Sequence, residues 1–226
     1  MPVSQKVSSL HLDGIHSFHW LGQTLTLLPD RAIYWEEASA LLLADLHLGK
    51  AGHFRKAGIP IPAQVHWEDL GRLSLLIEAW RPAQIILLGD LFHSDLNEEW
   101  AFFERWLEQY TSIRFILVKG NHDILPSSIY ELSNLELKLA PFGMPPFSLT
   151  HEPTADDNGY NIAGHIHPAV RLRGAGRQYM TVPCFHFGQK GAVLPAFGRF
   201  TGTAAVRPIP GDVVFAVTQD RVIPLR

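Results

Sequence analysis

The stretch Ile85-Ile86-Leu87-Leu88-Gly89-Asp90-Leu91-Phe92-His93 decides the fold. Four consecutive apolar residues read as a strand buried on both faces, as in parallel sheets covered by helices. The strand stops at Gly89 and delivers the carboxylate of Asp90 at its carboxyl end, where open α/β sheets gather their ligands. The same form recurs on either side of it. Leu41-Leu42-Leu43-Ala44 runs into Asp45-Leu46-His47, and the run from Arg114 to Val118 leads to Gly120-Asn121-His122-Asp123. Between the first two runs, Leu70, Leu73, Ile77 and Trp80 recur at helical spacing, which predicts an amphipathic helix over 63–80, ended by Pro82. After the second run, Asp95-Leu96-Asn97-Glu98 has the form of a capping box, and Trp100, Phe103, Trp106, Leu107 and Tyr110 mark a second helix. Strand, turn and helix thus repeat three times, the pattern of βαβ units with right-handed crossovers.

Outward from this centre the chain changes character. Residues 16–35 alternate apolar and polar around turn signals and predict one or two antiparallel hairpins. Beyond Pro126, short runs at 135–139, 147–150, 160–163, 169–173, 179–187, 193–196, 212–218 and 221–225 are punctuated by Gly and Pro, so that half is mostly strand. We expect one domain over residues 1–226 with two packed sheets, which the length of 226 residues accommodates.

Hydrophobic content of 46 % and charged content of 18 % exclude wholesale disorder. No apolar run approaches the roughly 20 residues needed to cross a bilayer. His11, Asp13, His16 and His19 interrupt the region where a secretory signal would need an apolar core, so a cytoplasmic, non-membrane protein is expected. The single cysteine, Cys184, fits that compartment and reads as a small buried apolar residue. The net charge of −3 argues against a chain coated in basic charge, but the charge is uneven. Residues 1–170 hold 11 Lys/Arg against 20 Asp/Glu, whereas residues 171–226 hold 8 against 2. The C-terminal quarter can therefore attract a polyanion locally, or simply be a solvated basic face.

Metal-capable residues follow the apolar runs one after another: Asp45 and His47, Asp90, Asn121 and His122, His151 in Leu149-Thr150-His151, and His165 and His167 in Gly164-His165-Ile166-His167. Each can reach the same rim of a sheet pair. Taken singly, a strand-end aspartate or a lone histidine is better read as a structural or surface residue. Nothing ties His11, His16, His19 or His66 to the set, and His93 and His186 stand between the two cases. Mixed carboxylate, imidazole and amide ligands suit Mn²⁺, Fe or Zn²⁺ better than Ca²⁺ or Mg²⁺. With no thiolate among them, a cysteine-type structural zinc site is excluded.

The order of these blocks, D-x-H, GD, GNHD, a single His and GHxH over residues 45–167, resembles the calcineurin-like metallophosphoesterases. The resemblance implies a four-layer α/β/β/α sandwich and two divalent metal ions, with Mn²⁺ expected and Fe or Zn²⁺ as alternatives. It implies Asp45, His47, Asp90 and His167 around one ion and Asp90, Asn121, His151 and His165 around the other, with Asp90 bridging. A hydroxide between the ions would then attack phosphorus, two ions about 3.5–4 Å apart stabilising attacking and leaving oxygens. His122 would protonate the leaving group, with Asp123 orienting and charging the imidazole.

The segment from Gly49 to Pro60 follows His47 closely, and its His53 and Arg55 are candidate substrate-binding residues, Arg55 by bidentate contact to phosphate; the alternative is a basic surface loop. That loop and the stretches 183–187 and 194–202 resemble the bacterial ligase-associated DNA-damage-response endonuclease branch of the superfamily. This implies a DNA or nucleotide phosphodiester as substrate and, as partners, a DNA ligase, a nuclease and a helicase of a repair system. A protein serine/threonine phosphatase is disfavoured, because Asp90 is followed by Leu91-Phe92-His93-Ser94 rather than Asp-Arg-Gly. Only 28 residues separate Asp123 from His151, which leaves no room for a lid domain. A nucleotide or lipid-sugar pyrophosphatase and a non-catalytic binding scaffold of the same fold are the remaining readings. The oligomeric state is not readable from the sequence.

Overall fold

The computed structural model describes residues 14–49, 65–93, 96–155, 159–174, 176, 178–199 and 201–225. The first sheet holds seven strands in sequence order: β1 (His16–Trp20), β2 (Gln23–Leu27), β3 (Ile33–Trp35), β4 (Ala40–Leu43), β5 (Gln84–Leu88), β6 (Arg114–Val118) and β7 (Leu135–Lys138). Antiparallel turns link β1 to β4, and β4 to β7 run parallel. The parallel strands are crossed over by helices α1 (Val65–Trp80) and α2 (Glu98–Leu107), the latter continued by a 3₁₀ turn at Glu108–Tyr110. After β6 the crossover contains only the four-residue α3 (Ser127–Tyr130), shorter than the third repeat of the sequence pattern suggests.

Strand periodicity divides the apolar residues between two faces. Leu41, Leu43, Ile85, Leu87, Phe115 and Leu117 face the helices, packing against Leu70, Leu73, Leu76, Trp100, Phe103 and Trp106. Leu42, Ile86, Leu88, Ile116 and Val118 face the other way. Each fully buried Leu or Ile of these rows contributes roughly 1.5–3 kcal/mol. The continuous apolar runs of the sequence are therefore two interleaved faces, both covered.

The inner face meets a second sheet, in the order β14 (Ala204–Ala205), β11 (Pro168–Arg173), β12 (Tyr179–Phe187), β13 (Gly191–Val193), β10 (Tyr160–Ala163), β9 (Phe147–Leu149) and β8 (Phe142–Met144). β15 (Val213–Val217) pairs with β12, and β16 (Val222–Leu225) with β15. Phe147, Leu149, Ile162, Phe185, Phe187 and Phe215 fill the space between the sheets. The architecture is the expected α/β sandwich of two mixed sheets; the described helices join the cluster on the outer face of the first sheet, and Cys184 is buried behind the second with Val170, Val182, Val214 and Ala216. No helix among the described residues is long and apolar enough to cross a membrane.

One local detail corrects the sequence expectation. The residue capping α2 is Asn97, whose side chain accepts from the backbone N–H of Glu99 and Trp100, as an N-cap amide does. A buried ion pair also anchors α1 to the chain after β13. Arg72 sits 3.2 Å from Asp69, donates to the carbonyl of Phe197 and lies over that ring at 4.0 Å. Burial pulls its guanidinium down to about 10, with Asp69 and Asp30 opposing the shift. The segment it holds supports the site from below, since Phe197 N–H donates to Ala44 O and Gly198 N–H to Asp45 O.

Candidate metal centre

The turns that leave β4, β5 and β6 lie side by side at the carboxyl ends of the parallel strands, as expected of this topology. Asp45 N–H donates to Gly89 O, His47 N–H to Asp90 O and Leu48 N–H to Leu91 O, so the first two turns extend the pairing of their strands. Asp45, His47 and Asp90 hold left-handed backbones at φ 57°, 50° and 52°, and His165 and His167 do the same at 68° and 52°. Non-glycine residues in this region cost on the order of 1 kcal/mol or more each, and such strain concentrates where side chains must be aimed.

Asp123 knits two of these turns together. Its Oδ2 accepts from Asp90 N–H and Gly120 N–H, and its Oδ1 from Leu91 N–H and Phe92 N–H, at 2.8–3.2 Å. Burial pushes this carboxyl up to about 6, while the amide donors, which favour the charged form, pull the other way. Here the structure departs from the sequence expectation: both oxygens are spent on backbone amides, and the carboxylate fixes the turns rather than the His122 imidazole. His122 is joined to the site by its backbone N–H, which donates to Asp90 Oδ1 at 2.9 Å. Its ring lies against His93 at 3.9 Å between centroids and 5.9 Å from His47, with no side-chain hydrogen bond among the described residues.

The second sheet supplies the other imidazoles. His151 follows β9, and His165 and His167 follow β10. His165 N–H donates to Asp45 Oδ2 at 2.9 Å, which ties one sheet to the other. Gly89 and Gly164 permit the close approach. Gly89 has φ 75° and a side chain there would strike the His151 ring; one at Gly164 would come within 2.6 Å of Ala44 Cβ and Asp45 Oδ2.

The donor atoms converge. His151 Nδ1 is 2.9 Å from Leu88 O, and because a carbonyl only accepts, Nδ1 carries the proton and Nε2 the lone pair of the neutral ring. That Nε2 faces Asn121 Oδ1 at 2.9 Å, His165 Nδ1 at 3.1 Å and Asp90 Oδ1 at 3.3 Å. His167 repeats the arrangement, with Nδ1 3.1 Å from Gly202 O and Nε2 3.2 Å from Asp45 Oδ1. His47 Nε2 is 3.8 Å from Asp90 Oδ2 and 3.9 Å from Asp45 Oδ1. Asp45 Oδ1 is buried and accepts no hydrogen bond among the described residues. Lone pairs facing buried carboxylate oxygens call for a cation between them, and the donor set fits a divalent one.

Two groups could each hold an ion: Asp45, His47 and His167, and Asp45, Asp90 and His151. Asp45 is common to both, yet it meets His151 at Nδ1, 3.9 Å away, the nitrogen already turned to Leu88. Asp90 meets Nε2 of His47 and of His151 with different oxygens, so it too faces both histidine sets.

All seven residues expected as metal ligands, and His122 and Asp123 with them, therefore gather at one rim. His53 and Arg55 lie outside the described residues. The structure adds His93, packed on His122 and His47, for which the only sequence signal is its place three residues after Asp90. His186 is bonded to Asp212 at 2.7 Å. Beside Asn121 and His151 a cleft of about 580 Å³ opens, with Lys119, Leu139, Pro141, Glu152 and Thr154 among its walls.

The family model described as calcineurin-like phosphoesterase matches residues 39–201. Among solved structures, the chain is similar to the Pseudomonas putida nuclease MPE, at 31% identity and a TM-score of 0.78 over 93% of this chain and 100% of that one. It is more distantly similar to Yfce, a phosphoesterase from E. coli, at 14% identity and a TM-score of 0.41 over 81% of this chain and 96% of that one. No curated protein sequence matches. The matched span contains every one of these candidate ligands, from Asp45 to His167, and the chain belongs to the calcineurin-like phosphoesterase family.

Proposed function

We propose that this protein hydrolyses phosphodiester bonds in DNA or DNA-derived fragments, using two divalent cations at the rim between its sheets. The observation that carries the proposal is the pair of imidazoles, His151 and His167, whose Nδ1 atoms are tied to backbone carbonyls so that both Nε2 lone pairs confront buried carboxylates. Asp45, His47, Asp90 and His167 would hold one ion and Asp90, Asn121, His151 and His165 the other. Mn²⁺ is the ion expected, with Fe or Zn²⁺ as alternatives for the same mixed ligands. Cations bound there lower the pKa of water and offset the charge that develops at phosphorus.

The chain's own groups do the rest. Asp90, bonded to His122 N–H, sets where that imidazole starts, and the ring, packed at a tilt against His93, is free of side-chain hydrogen bonds among the described residues and so available to give a proton to a leaving oxygen. Asp123 fixes the turns on which Asp90 and His122 ride. DNA is favoured as substrate by the likeness to a nuclease and by the cleft beside Asn121, which gives a substrate longer than a monoester room to extend. The same reading makes a DNA ligase, a nuclease and a helicase of a repair system its partners, and the cytoplasm its compartment.

The test is a panel run with Mn²⁺ and with chelator, comparing an activated monoester, an activated diester, and single- and double-stranded DNA. Chelator is expected to abolish all hydrolysis, and diester and DNA cleavage to exceed monoester cleavage. Diester cleavage without DNA cleavage would remove DNA as substrate. His122→Ala should keep both metals and lose about 100-fold or more in rate, most with poor leaving groups; loss of metal instead would refute its role.

A further inference from the structure

We propose that the face formed by β11, β12 and the chain after β14 is an arm that holds the DNA phosphate backbone away from the scissile bond. The inference rests on DNA being the substrate. β11 starts at Pro168, directly after the ligand His167, and Ala204 N–H donates to His167 O, so both strands leave from the metal centre itself. Their register sorts the side chains. Arg171 is paired with Thr181 and Arg173 with Tyr179, all four exposed, while Val170 and Val182 turn inward to pack on Cys184 and Val214, with Leu172 packed against them. Ala205 pairs with Ala169, Val206 packs inward, and Arg207 is exposed on the same side as Arg171.

Three arginines thus share one open face; of the other exposed arginines, Arg81 and Arg105 also lack a carboxylate within ion-pair reach among the described residues, but they lie apart, just after α1 and on α2. Arg114, Arg199 and Arg221 each lie against a carboxylate. Arg171, Arg173 and Arg207 have none within ion-pair reach among the described residues; Arg171 instead lies 4.1 Å over the ring of Tyr179. The two acidic residues of the C-terminal quarter are occupied elsewhere, Asp212 with His186 and Asp220 with Arg221. An uncompensated basic face beside an exposed aromatic ring is the chemistry that meets a nucleic-acid backbone.

The spacing suits it. At about 3.3 Å per residue, Arg171 stands about 13 Å and Arg173 about 20 Å along the strand from His167. With one phosphate per about 3.4 Å of a duplex strand, those distances correspond to about four to six phosphates. The arm would therefore grip substrate remote from the reaction, strengthening binding of long chains and leaving the chemistry of a small diester untouched.

The experiment measures binding of a labelled phosphorothioate oligonucleotide, which resists hydrolysis, to the metal-loaded protein over a range of salt concentrations. Arg171→Gln/Arg173→Gln/Arg207→Gln is expected to reduce the slope of log affinity against log salt by about 2 to 3, and each single variant by about 1. The triple variant should raise KM for DNA by about tenfold or more and leave kcat/KM for an activated diester unchanged, which also reports that it folds. An unchanged salt slope, or equal losses on DNA and on the small diester, would overturn the arm. Because the slope is read without cleavage, it judges the arm even if the wild-type protein fails to cut DNA.

Discussion

The two sheets bring different chemistry to one rim. The parallel part of the first sheet ends in both acids, an amide and one imidazole, Asp45, Asp90, Asn121 and His47, on turns bonded to one another by backbone and by Asp123. The second sheet contributes only imidazoles, His151, His165 and His167, two of them aimed by a hydrogen bond to a carbonyl. Fixed negative charge thus comes only from the first sheet, where Asp45 and Asp90 are 0% and 2% exposed, while three of the four imidazoles come from the second. Placing charge where the backbone is most rigid reduces the reorganisation needed when cations bind, and leaves the adjustable rings to complete the shell.

The largest effect should come from the residue between the two sets. Asp90→Ala is expected to remove both metals by elemental analysis and to cut hydrolysis at least about 1,000-fold, ~4 kcal/mol at 1.36 kcal/mol per decade. His167→Ala should cost mainly one metal. Equal metal loss in the two variants would erase the distinction between the sheets, and two retained metals in Asp90→Ala would refute its central position.

A smaller effect should follow from unpicking the turns. Asp123→Ala strips an acceptor from four amide groups and should lower stability by about 3 kcal/mol in denaturant unfolding, since buried donors left without partners are costly. Activity should fall with good and poor leaving groups alike. A selective loss with poor leaving groups would return Asp123 to service of the imidazole.

The smallest lies on the outer edge of the first sheet, far from any such constraint. Glu136 is held by Arg114 at 2.6 Å and by Lys138 at 3.0 Å, and these hydrogen bonds pull its carboxyl down to about 2. A depressed carboxyl stabilises the fold above its unfolded value near 4.5 and ceases to do so as the pH falls toward 2. Because the pair is half exposed, Glu136→Gln should cost less than about 1 kcal/mol near neutrality and nothing at pH 2, read from melting temperatures. A larger cost would mean that this edge is as tightly built as the rim.

Much of this was legible because it depends on periodicity and on strand ends. Arg114 to Val118, 160–163 and 179–187 are strands with those limits, since apolar runs stopped by Gly, Asn or Pro leave little choice. The gathering of the seven candidate ligands at one rim was legible because each stands just after such a run. Hydrogen bonds to main-chain atoms were not. Asp123 next to His122 suggests a side-chain pair, and only the folded turns reveal four amides nearer to it. Asp69 and Arg72 were hidden for another reason: they sit on the inward side of α1 beside Leu73 and Leu76, where spacing alone would place apolar groups. The short β8 and β14 escaped because three- and two-residue strands carry no period.

The bond from His165 N–H to Asp45 Oδ2 has a meaning for how the molecule comes together. Its partners are 120 residues apart in the chain, so neither half of the sequence can assemble the ion-binding shell, and the shell exists only after the sheets have docked. Cations would then act as rivets across a seam, gripping the native state and not the unfolded chain, and an excess of about 100 times their dissociation constant would add about 2.7 kcal/mol per site. The protein's durability and its capacity for catalysis would rise and fall with the same supply of metal.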